Sequence, residues 1–258
     1  VAGIYGGTNI NTQAKAMATG TDILVATPGR LLDLVFNRAI ILKSVRQLVI
    51  DEVDEMLNLG FRGQLSSLLD LIPKKRQNLL FSATMTEDVD ELIDIFFNAP
   101  ELIEVMRAGT PLEKIKQSAY RAPNYFSKLN LLEYLLKHDE SMEKVLIFGA
   151  TKRMADRIFE FLESKFPGQF SVTHSNKSQN FRMQAIQKFQ DGMLRGLVST
   201  DLLARGLDVT DITHVINVDT PDTPENYIHR IGRTGRADSE GAAVTFVSDA
   251  ETEYRTQI

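Results

Sequence analysis

The segment Gln47–Leu57, QLVIDEVDEML, decides how this chain is read. Gln47–Ile50 is a short apolar run of strand length, and Asp51 and Glu52 follow directly at its end, ahead of an amphipathic stretch carrying Asp54. Ligands of open parallel sheets bind outside the carboxyl ends of the strands. Asp51 and Glu52 therefore stand where a strand delivers side chains to a ligand. Asp there can hold Mg²⁺ while a neighbouring Glu polarises an attacking water. The plainer alternative is an acidic first helical turn, which stabilises the positive end of a helix.

The same rhythm runs outward in both directions. Strands are expected at Ile23–Ala26, Gln47–Ile50, Asn78–Phe81, Leu102–Val105, Val145–Phe148, Ser171–Thr173, Gly196–Ser199, His214–Asn217 and Gly241–Phe246. Between them lie helical patterns: Ala150–Lys165 repeats Met154, Ile158, Phe161 and Leu162 on one face, and Gln179–Gln190 repeats Ala185, Ile186 and Phe189. Alternating short apolar runs and amphipathic helices predict an α/β fold with mostly parallel sheets. At about 150 residues per domain, the 258 residues amount to about 1.7 domains. The break is expected within Met106–Ile115, MRAGTPLEKI, where Gly109 and Pro111 sit among charges. This gives a first domain over 1–106, a linker over 107–115 and a second domain over 116–258.

Composition narrows the class. Apolar residues make up 43% and charged residues 24%, ordinary values for a folded domain, and no apolar run reaches the length of a membrane span. Without cysteine there is no disulfide, no cysteine-zinc site and no thiol nucleophile, which agrees with a cytoplasmic protein. The four histidines, His138, His174, His214 and His229, lack metal-ligand spacing. Residues 1–106 carry 9 Lys+Arg against 14 Asp+Glu, whereas 107–258 carry 20 of each. A polyanion would have to be gripped by local clusters rather than by a global positive field.

Three further segments carry chemistry. FSATM, Phe81–Met85, places Ser82 and Thr84 within reach of a carboxylate such as Asp54, or else caps the helix TEDVDELIDIFF. STDLLARGLDV, Ser199–Val209, offers Thr200, Asp201, Arg205, Gly206 and Asp208 after a strand, suited to phosphate and to a ribose hydroxyl. HRIGRTGR, His229–Arg236, sets three guanidinium forks beside Gly232 and Gly235, where backbone can approach phosphate closely; a solvated basic turn is the alternative.

In this order these segments resemble the DEAD-box family of ATP-dependent RNA helicases, with wording nearest a bacterial RhlE-type member. Gly6-Gly7, TPGR at Thr27–Arg30, Gly60-Phe61, LIFGATK at Leu146–Lys152, and Gln179 with Arg182 agree. The resemblance covers essentially the whole chain. It implies two RecA-like domains flanking a cleft, the first incomplete, with ATP between them and RNA across both. Asp51 and Glu52 would serve Mg²⁺ and the hydrolytic water, and Asp54 would bond Ser82 and Thr84. Asp208 would hold the ribose. Arg233 and Arg236 would act as arginine fingers, with His229 and Arg230 in the same network. RNA would be met by Gly6, Gly7, Thr27, Pro28, Gly29, Arg30, Phe148, Thr151, Gln179, Arg182 and Thr200. Such small residues, amides and arginines grip phosphate and sugar without reading bases.

Val53 replaces the family's usual Ala, and His174-Ser175 stands where His-Gly is commoner. The larger departure is that no G-x-x-x-x-G-K-[ST] phosphate loop occurs. The expectation is accordingly of a piece of a longer protein, N-terminally truncated and inactive alone for want of that loop. RNA is the expected partner, with no membrane and with protein partners left open. The alternatives are a non-catalytic RNA-binding clamp and a related DNA helicase.

Overall fold

The computed structural model describes residues 1–104, 114–201, 209–235 and 240–251. The chain divides into two compact units, Val1–Val105 and Met106–Ile258.

In the first unit β1 (Ala2–Ile4) pairs in parallel with β2 (Leu24–Ala26), and β3 (Gln47–Ile50) pairs in parallel with β4 (Gln77–Leu80). Five helices connect and cover these strands: α1 (Ile10–Met17), α2 (Pro28–Phe36), α3 (Val53–Asn58), α4 (Arg62–Leu71) and α5 (Glu87–Phe96). Alternate strand side chains point to opposite faces. Ile50 is accordingly buried against Val53, Leu57, Leu65, Leu69, Val89 and Leu92, while Val49 and Leu79 are exposed. Both strand pairs are parallel and bridged by helices, as the alternating pattern predicts. The strand expected at Leu102–Val105 is absent from 101–104, where Leu102 and Ile103 are exposed. A strand exists only where a neighbour completes its ladder, and no pairing is made there.

Among its described residues the second unit holds six strands: β5 (Ile115–Arg121), β6 (Val145–Phe148), β7 (Phe170–Thr173), β8 (Gly196–Ser199), β9 (His214–Asn217) and β10 (Gly241–Val247). They form one wholly parallel sheet in the order β5-β10-β9-β6-β8-β7. Its described helices are α6 (Tyr125–His138), α7 (Lys152–Lys165), α8 (Gln179–Gln190) and α9 (Pro224–Ile231). All four residues of each of β6, β8 and β9 are buried, as a parallel sheet covered on both faces requires. One face packs Val145, Ile147, Val172 and Val198 against Leu132, Ile158 and Leu162; the other packs Leu146, Phe148, Leu197 and Val215 against Ala185 and Phe189. Each such Val, Leu, Ile or Phe side chain contributes about 1.5–3 kcal/mol of transfer free energy. The expected linker lies mostly outside the described residues; at its end Ile115 already opens β5.

A 3₁₀ turn at Asp249–Glu251 follows β10. Burial alone would raise the Glu251 carboxyl, but hydrogen bonds from Lys128 and Ser248 outweigh it and hold the group below its ordinary 4.5. A carboxyl depressed in the folded state contributes stability above the unfolded value and loses it as pH falls through the folded one. The urea midpoint of the chain is therefore expected to fall below about pH 4.5, and Glu251→Gln to flatten that acid limb in a titration of unfolding. Among the described residues, no helix is long and apolar enough to cross a membrane.

Candidate functional site

At the end of β3 the backbone turns sharply. Glu52 adopts a left-handed conformation, φ 50 and ψ 46, before α3 begins. Its N–H donates to Asp51 Oδ1 at 3.0 Å, and the following Val53 N–H donates to Phe81 O at 3.2 Å across the β4 end. Both carboxylates are exposed. One turn on, Asp54 is buried, and its Oδ2 accepts from Thr84 N–H at 3.0 Å and Thr84 Oγ1 at 2.8 Å. The expected Asp54–Ser82 bond is not made: Ser82 Oγ donates to the Thr84 carbonyl at 2.6 Å, a local contact two residues away. Nor does FSATM cap α5; Thr86 does, its Oγ1 accepting from Val89 N–H.

Elsewhere in this unit the Gly6-Gly7 loop and TPGR come together. Thr27 N–H donates to Ile4 O at 2.9 Å, Thr27 is the N-cap residue of α2, and Pro28 opens the helix where its missing N–H costs nothing. Gly7 has φ 78, which suits glycine. Arg30 was expected to face RNA, but its Nη1 donates to Thr8 O at 2.9 Å and Gln13 Oε1 at 2.8 Å. Gln13 in turn donates to Tyr5 O and Thr8 Oγ1. Arg30 thus braces the glycine loop, and its partner is Gln13, a residue that belongs to none of the motifs.

In the second unit Phe148, Thr151 and Thr200 lie at or just after strand ends, and Gln179 and Arg182 on the first turn of α8. Thr151 caps α7, accepting from Met154 N–H at 3.2 Å, and Arg182 reaches back to Gln179 on the first turn of α8. Thr200 follows β8 and is largely buried. Phe148 departs from expectation. Its side chain is fully buried within the covered sheet, with the Arg230 guanidinium 5.0 Å from the ring centroid, so it is closed to a ligand.

HRIGRTGR begins on the last turn of α9 and leaves it at Gly232. Arg230 is only 3% exposed and forks onto Asp201, Nε to Oδ1 at 2.5 Å and Nη2 to Oδ2 at 2.8 Å. Its Nη1 donates to Asp219 O at 2.9 Å and to Asn217 Oδ1 at 3.3 Å. Asp201, read from sequence as one of the residues suited to phosphate or ribose, is occupied instead by this arginine. Breaking a buried pair strands the other charge. Arg230→Ala is therefore expected to lower unfolding stability by about 3 kcal/mol, read from the urea midpoint. Arg233, by contrast, is partly exposed beyond the helix end, its Nε donating to His229 O at 3.1 Å. Gly241 explains part of the local tightness: a Cβ there would lie 2.2 Å from Thr234 Oγ1 and 2.6 Å from Gly235 N. Asp208 and Arg236 lie outside the described residues, as do Arg205 and Gly206.

Among the described residues, no group of three or more His, Cys, Asp or Glu side chains could hold a metal. Asp51 and Glu52 still suit Mg²⁺, a hard cation commonly bound by one or two carboxylates, with water and substrate phosphates completing its shell.

The first unit thus presents carboxylates at a strand end, and the second a glycine-spaced arginine segment at a helix end. The DEAD/DEAH box helicase family matches residues 1–92, and the helicase conserved C-terminal domain matches 127–238. The DEAD-box ATP-dependent RNA helicase CshA of Bacillus subtilis (strain 168) is 41% identical over 248 residues, covering 96% of this chain and 50% of that protein. A DEAD box protein from the hyperthermophile Methanococcus jannaschii is 35% identical, with coverage of 99% of this chain and 68% of that one and a TM-score of 0.51. S. cerevisiae Dbp5 bound to RNA and ADP BeF3 is 28% identical, with coverage of 99% and 68% and a TM-score of 0.79. The chain belongs to the DEAD-box helicase family, and its units are of the RecA-like kind. It spans about half the length of the curated relatives it matches.

Proposed function

We propose that the intact protein is a cytoplasmic ATP-dependent RNA helicase that opens or remodels short RNA duplexes. The observation that carries this reading is the β3 end, where Asp51 and Glu52 are presented to solvent while Asp54 is clasped to Thr84 on the neighbouring strand end.

In this reading Glu52 orients and polarises the water that attacks the γ-phosphate, and Asp51 with Glu52 would hold Mg²⁺. When bound, the cation neutralises charge developing on the phosphate oxygens. Arg233 stabilises the same charge, with Asp208 on the ribose and Arg236 as a second finger. The Gly6-Gly7 loop braced by Arg30, TPGR, Thr151, Thr200 and the Gln179–Arg182 pair grip the RNA backbone. Arg230 acts differently from Arg233: buried on Asp201, it sets where the segment lies. Unwinding draws on the difference in RNA affinity between two states, which ATP binding and hydrolysis exchange.

The test uses the protein with its complete coding sequence. Single-stranded RNA should stimulate ATP hydrolysis strongly, single-stranded DNA should not, and short RNA duplexes should be displaced. Equal stimulation by DNA would favour a DNA helicase, and RNA binding without hydrolysis a non-catalytic clamp. The 258-residue chain alone, whose sequence has no phosphate loop, is expected to show no turnover.

A further inference from the structure

The second unit contains an ion cluster that none of its sequence motifs includes. Lys128 on α6 is 3% exposed, and its Nζ lies 2.6 Å from Glu251 Oε2 and 3.6 Å from Asp219 Oδ1. Glu251 is held by its surroundings: Oε1 accepts from Thr220 N–H at 3.1 Å, and Oε2 from Ser248 N–H at 2.9 Å. Asp219, also buried, has three engagements. Its Oδ2 accepts Ala150 N–H at 2.9 Å, its Oδ1 faces Lys128, and its carbonyl accepts Arg230 Nη1 at 2.9 Å.

A buried ion cluster is a poor source of net stability, because desolvation offsets most of the attraction and apolar replacements of equal volume do as well. What such a cluster supplies is fixed geometry. Here Asp219 joins two chemically distinct segments, the turn after β6 that runs into Thr151 and the arginine segment of α9. The β6–β9 ladder continues between them, since Val218 N–H donates to Phe148 O at 3.0 Å. Two segments tied to one carboxylate-bearing residue, itself fixed by Lys128 and Glu251, cannot shift independently without breaking a buried bond.

We propose that Asp219 is a positioning residue that locks the Ala150 turn and the Arg230 segment into one body, so that a change at the arginines reaches the RNA-gripping turn. The functional half of this inference rests on the helicase reading above; the structural half does not.

Asp219→Asn in the full-length protein tests both. An amide presents its NH₂ either to the Ala150 N–H or to the Lys128 ammonium, so two donors face each other in either orientation. Hydrogen exchange should rise about tenfold in peptides covering 149–153 and, because loosening the side chain also frees the backbone that presents the Asp219 carbonyl to Arg230 Nη1, in peptides covering 229–233, with α8 unchanged as the internal control. The factor by which ADP·BeF₃ strengthens binding of a single-stranded RNA oligonucleotide should fall about fivefold or more. A purely structural role would lower the unfolding midpoint and leave that factor intact, overturning the proposal. Exchange rising in one segment alone would also overturn it. If Asp219→Asn does not fold, the charge-balanced pair Lys128→Met with Glu251→Gln should produce the same two changes at smaller size; no change in either would overturn the proposal. Should the unsubstituted protein show no coupling of nucleotide to RNA, the helicase reading fails, and the exchange data still decide whether Asp219 joins the two segments.

Discussion

Replacing Arg233 by alanine in the intact protein is expected to lower kcat for RNA-stimulated ATP hydrolysis by about 10³-fold or more, the scale on which an arginine finger acts. Steady-state hydrolysis at saturating ATP and RNA measures it. The choice between Arg230 and Arg233 is made by burial. Arg230 is enclosed by Asp201, Asn217 and the Asp219 carbonyl, so its substitution should register first as lost stability. Arg233 lies beyond the Gly232 helix end, partly exposed, with its Nε fixed on the His229 carbonyl. That bond helps to orient the fork. Lysine at 233 keeps the charge but has no planar fork to offer two phosphate oxygens, so Arg233→Lys should recover only a small part of the loss. Undiminished hydrolysis in Arg233→Ala would instead remove Arg233 from the catalytic machinery.

What the sequence disclosed follows from how local each feature is. β6, β8 and β9 are short β-branched or apolar runs buried on both faces, and their bounds agree with the expected ones residue for residue. β5 is not legible because it is the sheet edge: in IKQSAYR only Ile115 is buried, so it has the composition of a linker although it pairs with β10 along seven residues. The run expected as a strand after α5 has the opposite character, apolar in sequence and unpaired through 101–104. At the site, the Asp51-Glu52 turn and the Asp54–Thr84 clasp were legible because each depends on residues beside a strand end. The Arg230–Asp201 fork, the Asp219 cluster and the Arg30–Gln13 brace were not: the Asp54–Thr84 pair is just as distant in sequence, 30 positions, but flanks two strands consecutive in the chain, whereas these contacts join a helix to another helix or to a strand end whose proximity only the fold fixes.

Glu52→Gln should separate binding from chemistry. The substitution keeps the size and hydrogen-bonding reach of the side chain and removes its charge. In the intact protein single-turnover hydrolysis should slow roughly 10²–10⁴-fold, while RNA affinity measured by equilibrium binding stays near that of the parent. A matching loss of affinity would mean that Glu52 serves ligand binding rather than water activation. The backbone supplies a second, independent reading of the same residue. A glutamate held at φ 50 is strained, at a cost of roughly 1–3 kcal/mol, and glycine adopts that conformation freely. Glu52→Gly is therefore expected to leave the unfolding midpoint unchanged or to raise it, even as hydrolysis is lost. A position where glycine is tolerated or stabilising but inactive is one where the fold maintains strain to aim a carboxylate. If Glu52→Gly proves strongly destabilising, the left-handed turn is sustained by contacts of the Glu52 side chain, and its role is to hold the β3 end together.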